Sequence, residues 1–189
     1  GNPLSGENVG IIGSLTNLKH LAISPYYWQM PAGWSTLVNL EYLSVSLPDF
    51  FLSSGGQAGN IPAYFGNFTK LKTLKLRHSN WTGNIPASLG DLVNLEVLEM
   101  PDNHLTGTIP SSFNNLTKLT KLDLSGNELT GPIPNILGIP MAADVNIIGN
   151  AFNFSGMESN ISRLDQYSPQ ALIDASLIGP MCVGCISSH

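Results

Sequence analysis

Charge and cysteine are scarce in this chain. Of 189 residues, 11% are charged and two are cysteine, against about a quarter charged in average domains. The eight Lys and Arg are outnumbered by thirteen Asp and Glu, for a net charge of −5. That balance argues against nucleic acid or an anionic membrane as partner, because both select basic patches. No apolar run approaches the roughly 18 residues needed to span a bilayer. Zinc asks for four ligands, and Cys182, Cys185 and His189 supply three. The sequence also lacks G-x-S-x-G, H-E-x-x-H, the P-loop and the dinucleotide fingerprint. The expectation is a protein that is not an enzyme, with no metal and no cofactor.

What is abundant is punctuation. Nineteen Gly and thirteen Pro imply many tight turns. They are periodic. Leu71-x-x-Leu74-x-Leu76 recurs as Leu95-x-x-Leu98-x-Met100 and as Leu119-x-x-Leu122-x-Leu124, every 24 residues. Each block runs on into Gly-x-Ile-Pro, at Gly83–Pro86, Gly107–Pro110 and Gly131–Pro134. A period of this length predicts a solenoid, in which each coil buries its apolar edge against its neighbours. With the first Leu as block start, starts fall at Leu18, Leu40, Leu71, Leu95 and Leu119, with a degenerate sixth at Ala142. Residues 1–6 already read as the end of a coil, so a mature form or a fragment is expected.

The pattern LxxLxLxxNxLxGxIPxxLGxL resembles the plant-type leucine-rich repeat of receptor-kinase and receptor-like-protein ectodomains and of polygalacturonase-inhibiting proteins. The stretch from Leu119 to Leu137 matches it nearly position for position. The resemblance implies an α/β solenoid: a right-handed superhelix with a parallel β-sheet on the concave face and an irregular or 3-10 convex side. Repeats are expected over residues 1–156, as a partial coil and about six repeats. A capping segment with Cys-x-x-Cys is expected over residues 157–189.

Each motif residue has a physical task. The Leu-x-Leu alternation turns apolar side chains inward and polar ones outward along a short strand. Asn103, Asn127 and Asn150 occupy the turn after the strand, where a buried amide can bond the backbone of a neighbouring coil. That slot holds Tyr26, Pro48 and Ser79 in three earlier blocks, so the ladder is expected to be interrupted there. The block from Leu18 to Leu40 is short and lacks Gly-x-Ile-Pro. The block from Leu40 to Leu71 is long, and its surplus at residues 49–59 reads as a loop inserted after the strand.

The outward strand positions form the candidate recognition surface. One block presents Lys72, Lys75, Arg77 and His78, and the next presents Glu96, Glu99 and Asp102. Stacking sets Lys72 beside Glu96 and Lys75 beside Glu99. Either this is a charged recognition stripe, or exposed neighbours neutralise each other for about 0–1 kcal/mol per pair. Tyr27, Trp34 and Tyr42 have outward or edge phases, and Phe50 and Phe51 fall in the inserted loop. Exposed aromatics often anchor interfaces.

Five sequons, at Asn67, Asn80, Asn115, Asn153 and Asn160, fit the N-glycosylation rule. They point to a secreted or cell-surface protein. In that compartment Cys182 and Cys185 would bond each other or a partner. The functional expectation is an extracellular module that binds a protein, a peptide or a cell-wall glycan, through the concave face and the aromatic loop. The alternative is a structural component of an extracellular assembly. Ice binding comes third, because Thr82, Thr106 and Thr130 recur in phase but belong to the ordinary repeat.

Overall fold

In a computed structural model of the chain, the residues described are 10–24, 30–46, 59–133, 138–140 and 143–153. Tyr27, Phe50, Phe51, Asn160, Cys182, Cys185 and the expected capping segment lie outside them. The described strands are β1 (His20–Ile23), β2 (Tyr42–Val45), β3 (Gly59–Asn60), β4 (Thr73–Lys75), β5 (Trp81–Asn84), β6 (Val97–Glu99), β7 (His104–Thr106), β8 (Lys121–Asp123), β9 (Thr130–Pro132), β10 (Asp144–Asn146) and β11 (Ala151–Asn153).

The Leu-x-Leu strands stack as one parallel sheet in the order β1-β2-β4-β6-β8-β10. Its register follows the sequence period: Leu21 lies beside Leu43, then Leu74, Leu98, Leu122 and Val145. All six are buried. One residue to either side faces out. The strands past the turn form smaller parallel sheets, β3-β5-β7 and β9-β11.

Proline starts the return path of four described coils, while Ile11 stands before the turn Ile12–Ser14. Pro62, Pro86 and Pro110 hold φ near −66°, −63° and −62° and stand just before the 3-10 turns Ala63–Asn67, Ala87–Asp91 and Ser111–Asn115. A ring-fixed φ suits that junction, and the missing N–H leaves no ladder bond unmade. The short block obeys the same rule without the full motif. Pro31, at φ −66°, precedes the turn Ala32–Thr36. The glycine of Gly-x-Ile-Pro is needed for its backbone: Gly83, Gly107 and Gly131 have φ of 72°, 75° and 76°.

The core is a stack of side-chain layers. Phe113 and Leu116 close the back of their coil with no exposed surface, as Phe65 and Phe68 do in theirs. Trp34 corrects its outward assignment, since it is fully buried. It stands six residues before Leu40, the phase Phe65 has before Leu71, so it fills the same layer. Ser79 stands at the phase of Asn103 one coil earlier. It is buried, and its hydroxyl donates to the Arg77 carbonyl at 2.7 Å. A shorter side chain thus keeps part of the turn's bonding.

Candidate binding face

Two outward rows run across the sheet. The first is His20, Tyr42, Thr73, Val97, Lys121 and Asp144. The second is Ala22, Ser44, Lys75, Glu99, Asp123 and Asn146. Period-2 alternation places both rows on one face.

At the middle of that face, Glu99 departs from what its phase predicts. It is buried, with a side chain only 3% exposed. Three cations cover it. Arg77 Nε donates to Oε2 at 3.0 Å and Arg77 Nη2 reaches the same oxygen. Lys75 Nζ lies 3.3 Å from Oε2, and Lys121 Nζ lies 3.1 Å from Oε1. Burial pushes the Glu99 carboxyl up, but the hydrogen bonds from Arg77, Lys121 and Lys75 outweigh it and hold the group down at about 2. The hydrogen bond to Glu99 raises Arg77 against the opposing effect of its own burial. The carboxylate therefore stays ionised while the outer sides of the cations face solvent.

Asp123 also borders the cluster and acts on Arg77. Its Oδ1 accepts from the Ser125 N–H at 3.1 Å and the Ser125 hydroxyl at 2.6 Å. Three cations thus face two carboxylates, one of them covered.

The remaining candidates are more dispersed. Lys72 and Glu96 are exposed and in phase, and the Glu96 N–H donates to the Lys72 carbonyl at 2.8 Å. Among the described residues no ion pair joins their side chains, which corrects the expected pairing by stacking. His78 Nε2 lies 3.2 Å from Asp102 Oδ2, with both side chains more than half exposed. Both residues have left-handed backbone, φ 45° and 54°. Tyr42 is half-buried on β2.

The turn amides lie behind this face. Asn103 Oδ1 accepts from the N–H groups of Ser79 and Trp81, and its Nδ2 donates to the carbonyls of Leu76, Met100 and Pro101. Asn127 bonds Leu105, Met100, Leu124 and Ser125 in the same way. Asn150 takes the Leu129 N–H and gives to the Leu124 and Ile147 carbonyls.

Sequence reasoning missed His20, Lys121 and Asp123. Their signal was available, since they hold the same phases in their blocks as Tyr42 and Lys75 in theirs. The four sequons among the described residues fall off the face. Asn67 and Asn115 each end a 3-10 turn and are exposed, Asn80 precedes β5, and Asn153 ends β11.

These phased strands and turns define the class: the chain is a leucine-rich-repeat solenoid. Residues 93–137 match the family described as leucine-rich repeats (two copies). No curated protein matches the chain by sequence. Among solved structures it is similar to the leucine-rich-repeat ectodomain of the Arabidopsis thaliana membrane receptor kinase GASSHO1/SCHENGEN3 in complex with CASPARIAN STRIP INTEGRITY FACTOR 2. That match has 27% identity and a TM-score of 0.66, over 80% of this chain and 17% of that one. The Arabidopsis receptor kinase HAESA ectodomain, in complex with an N-terminally extended IDA peptide hormone ligand, is 26% identical with a TM-score of 0.65, over 76% and 24%. A plant ice-binding protein is 30% identical with a TM-score of 0.63, over 76% and 45%. The chain spans less than half the length of each of these three.

Proposed function

We propose that the chain is an extracellular recognition module that holds a peptide or protein segment on its concave sheet. The observation that carries this reading is the Glu99 cluster. A covered carboxylate fixes Lys75, Arg77 and Lys121 in place, from one coil on each side, and leaves their outer sides in water. Prefixed cations suit an acidic group of a ligand, because little side-chain freedom remains to be lost on binding. A similar fold carries a peptide hormone in the HAESA ectodomain, which supports a peptide over a cell-wall glycan. Extracellular placement is supported by the receptor ectodomains among similar structures and by the exposed sequons.

The test is binding of synthetic acidic peptides to wild type and to Arg77→Ala and Lys121→Ala, at two salt concentrations. Both variants should bind at least about tenfold more weakly, with a smaller salt dependence. Cross-links confined to the convex back or the coil edges would overturn the reading and promote the assembly role.

Ice binding has less support. The hydroxyls of Thr82 and Thr106 point to Asn60 Oδ1 and Asn84 Oδ1 at 3.3 and 3.4 Å, and that of Thr130 to the Gly107 carbonyl at 3.4 Å. They are engaged between coils rather than held ready for an ordered water surface.

A further inference from the structure

The N-terminal end of the concave face carries rings and small groups within its strands. On β1 and β2 the outward positions are His20 and Ala22, then Tyr42 and Ser44, and the Lys19–Glu41 ion pair at 3.0 Å flanks the rings. Register sets His20 against Tyr42. The two rings stack with centroids 6.1 Å apart and planes at 26°. Two residues further along both strands come Ala22 and Ser44, and two beyond those come Ser24 and Ser46, whose hydroxyls are 2.9 Å apart. Side-chain height therefore drops from a pair of rings to a floor of small groups. On the next coil the face rises again at Lys75 and Arg77, which lean toward Glu99.

An aromatic wall beside a low floor fits a flat ring. His20 is exposed and Tyr42 half-buried, so a ligand can reach their surface. Among the described residues the floor offers hydroxyls but nothing bulky enough to fill the step. We propose that His20 and Tyr42 form a ring-stacking subsite, taking a proline or aromatic side chain of the same peptide whose carboxylate lies on the Lys75–Arg77–Lys121 cluster. This rests on the concave-face reading above. It adds a second point of recognition, and two unlike points fix which way the peptide lies across the sheet.

Spacing sharpens the proposal. Glu99, at the centre of the cluster, is on β6, two strands from Tyr42 on β2. Register also sets Glu99 two residues further along than Tyr42, so at about 4.8 Å per strand and about 3.3 Å per residue the span is roughly 12 Å, or about three to four residues of extended peptide. A ring residue three or four places from a carboxylate meets both subsites, and one immediately adjacent cannot.

The experiment is a titration of fluorescent synthetic peptides against the intact chain. Each peptide holds Trp, Pro, Leu or Ala, separated from a carboxylate by zero to three Gly, in both orders. One set carries an Asp side chain and an amidated end; the other carries a free C-terminus and no Asp. The two sets identify the source of the carboxylate. At the favoured spacing Trp should bind about tenfold more tightly than Leu, the scale of an aromatic pair beyond simple area burial. Tyr42→Ala should abolish that advantage, His20→Ala should reduce it, and Tyr42→Phe should keep it. Tyr42→Phe also shows that altering this position leaves the sheet intact. Binding that depends on Arg77 but ignores the ring would overturn the shelf and leave the concave-face reading standing. A ring preference that survives Tyr42→Ala would also overturn the shelf. Failure of every acidic peptide to bind would overturn both.

Discussion

Asn103 and Ser79 hold the same place in successive coils, and they are bonded to each other: Asn103 Oδ1 accepts the Ser79 N–H at 3.1 Å. The same amide takes the Trp81 N–H at 3.2 Å and gives to the carbonyls of Leu76, Met100 and Pro101. All of this is buried. Asn103→Ala would strand several backbone groups away from water, at about 1–3 kcal/mol for each one left unpaired. A loss of about 3 kcal/mol or more is expected in urea denaturation. Asn150 makes fewer bonds and is half-buried, so Asn150→Ala should cost less. Equal and small losses for the two would refute the ranking.

The solenoid was legible because its signal is repeated. From Leu71 to Leu124 each inward phase is filled by the residue type that the layer needs, so the buried set could be read from the period. Trp34 could have been placed by counting back from Leu40, but the short block hid the analogy with Phe65. Ser79 holds the phase of the amide, but its hydroxyl bonds the Arg77 carbonyl of its own turn. Glu99 was harder. Alternation correctly put it on the outer face, yet exposure depends on the neighbours' side chains. Three long cations from two other coils lie over it, and that convergence appears only when the coils are stacked. Lys72 and Glu96 share a phase in the same way, but their side chains remain exposed and apart.

Acid should weaken the fold partly through Glu99. Its carboxyl sits at about 2 in the folded chain, below its ordinary 4.5. A lowered acid contributes stability that is complete above about pH 4.5 and is lost as pH falls toward about 2. Glu99→Gln removes that titration. Its urea midpoint should be lower than wild type at neutral pH, because three cations lose their counter-charge, and should change less between pH 5 and pH 2.5. Parallel pH profiles for the two proteins would show that Glu99 does not carry the dependence.

His78 and Asp102 hold left-handed backbone, φ 45° and 54°, at the phase where Gly126 and Gly149 stand in later coils. An ordinary L-residue pays about 1–2 kcal/mol for that conformation, and Asp somewhat less. His78→Gly should therefore be neutral or stabilising by up to about 1 kcal/mol, despite the greater freedom of glycine when unfolded. The exposed pair with Asp102 gives little back, about 0–1 kcal/mol. If the two residues are kept for binding, the same variant should weaken peptide capture while its urea midpoint holds or rises. A clear loss of stability would show that the His78–Asp102 pair outweighs the backbone strain.

Glycans should sit off the concave sheet. In chain made in a eukaryotic secretory host, Asn67 and Asn115 are expected to be occupied most fully. Both are exposed at the end of a 3-10 turn, with an exposed Thr two residues on. They share a phase two blocks apart, so their sugars leave one flank of the solenoid together. Asn153 is exposed at the end of β11 and should follow. Asn80 is half-buried, bonded, and fixed at φ 50° before β5, so its amide is poorly presented to a transferase once the coil has closed. Enzymatic deglycosylation in heavy-oxygen water, read by peptide mass spectrometry, reports occupancy at each site. No outward strand position of the sheet carries a sequon, so removing the sugars should leave peptide affinity unchanged. A large gain in affinity on deglycosylation would mean that a flank glycan overhangs the face, and would place the ligand nearer the coil edge than the Glu99 cluster.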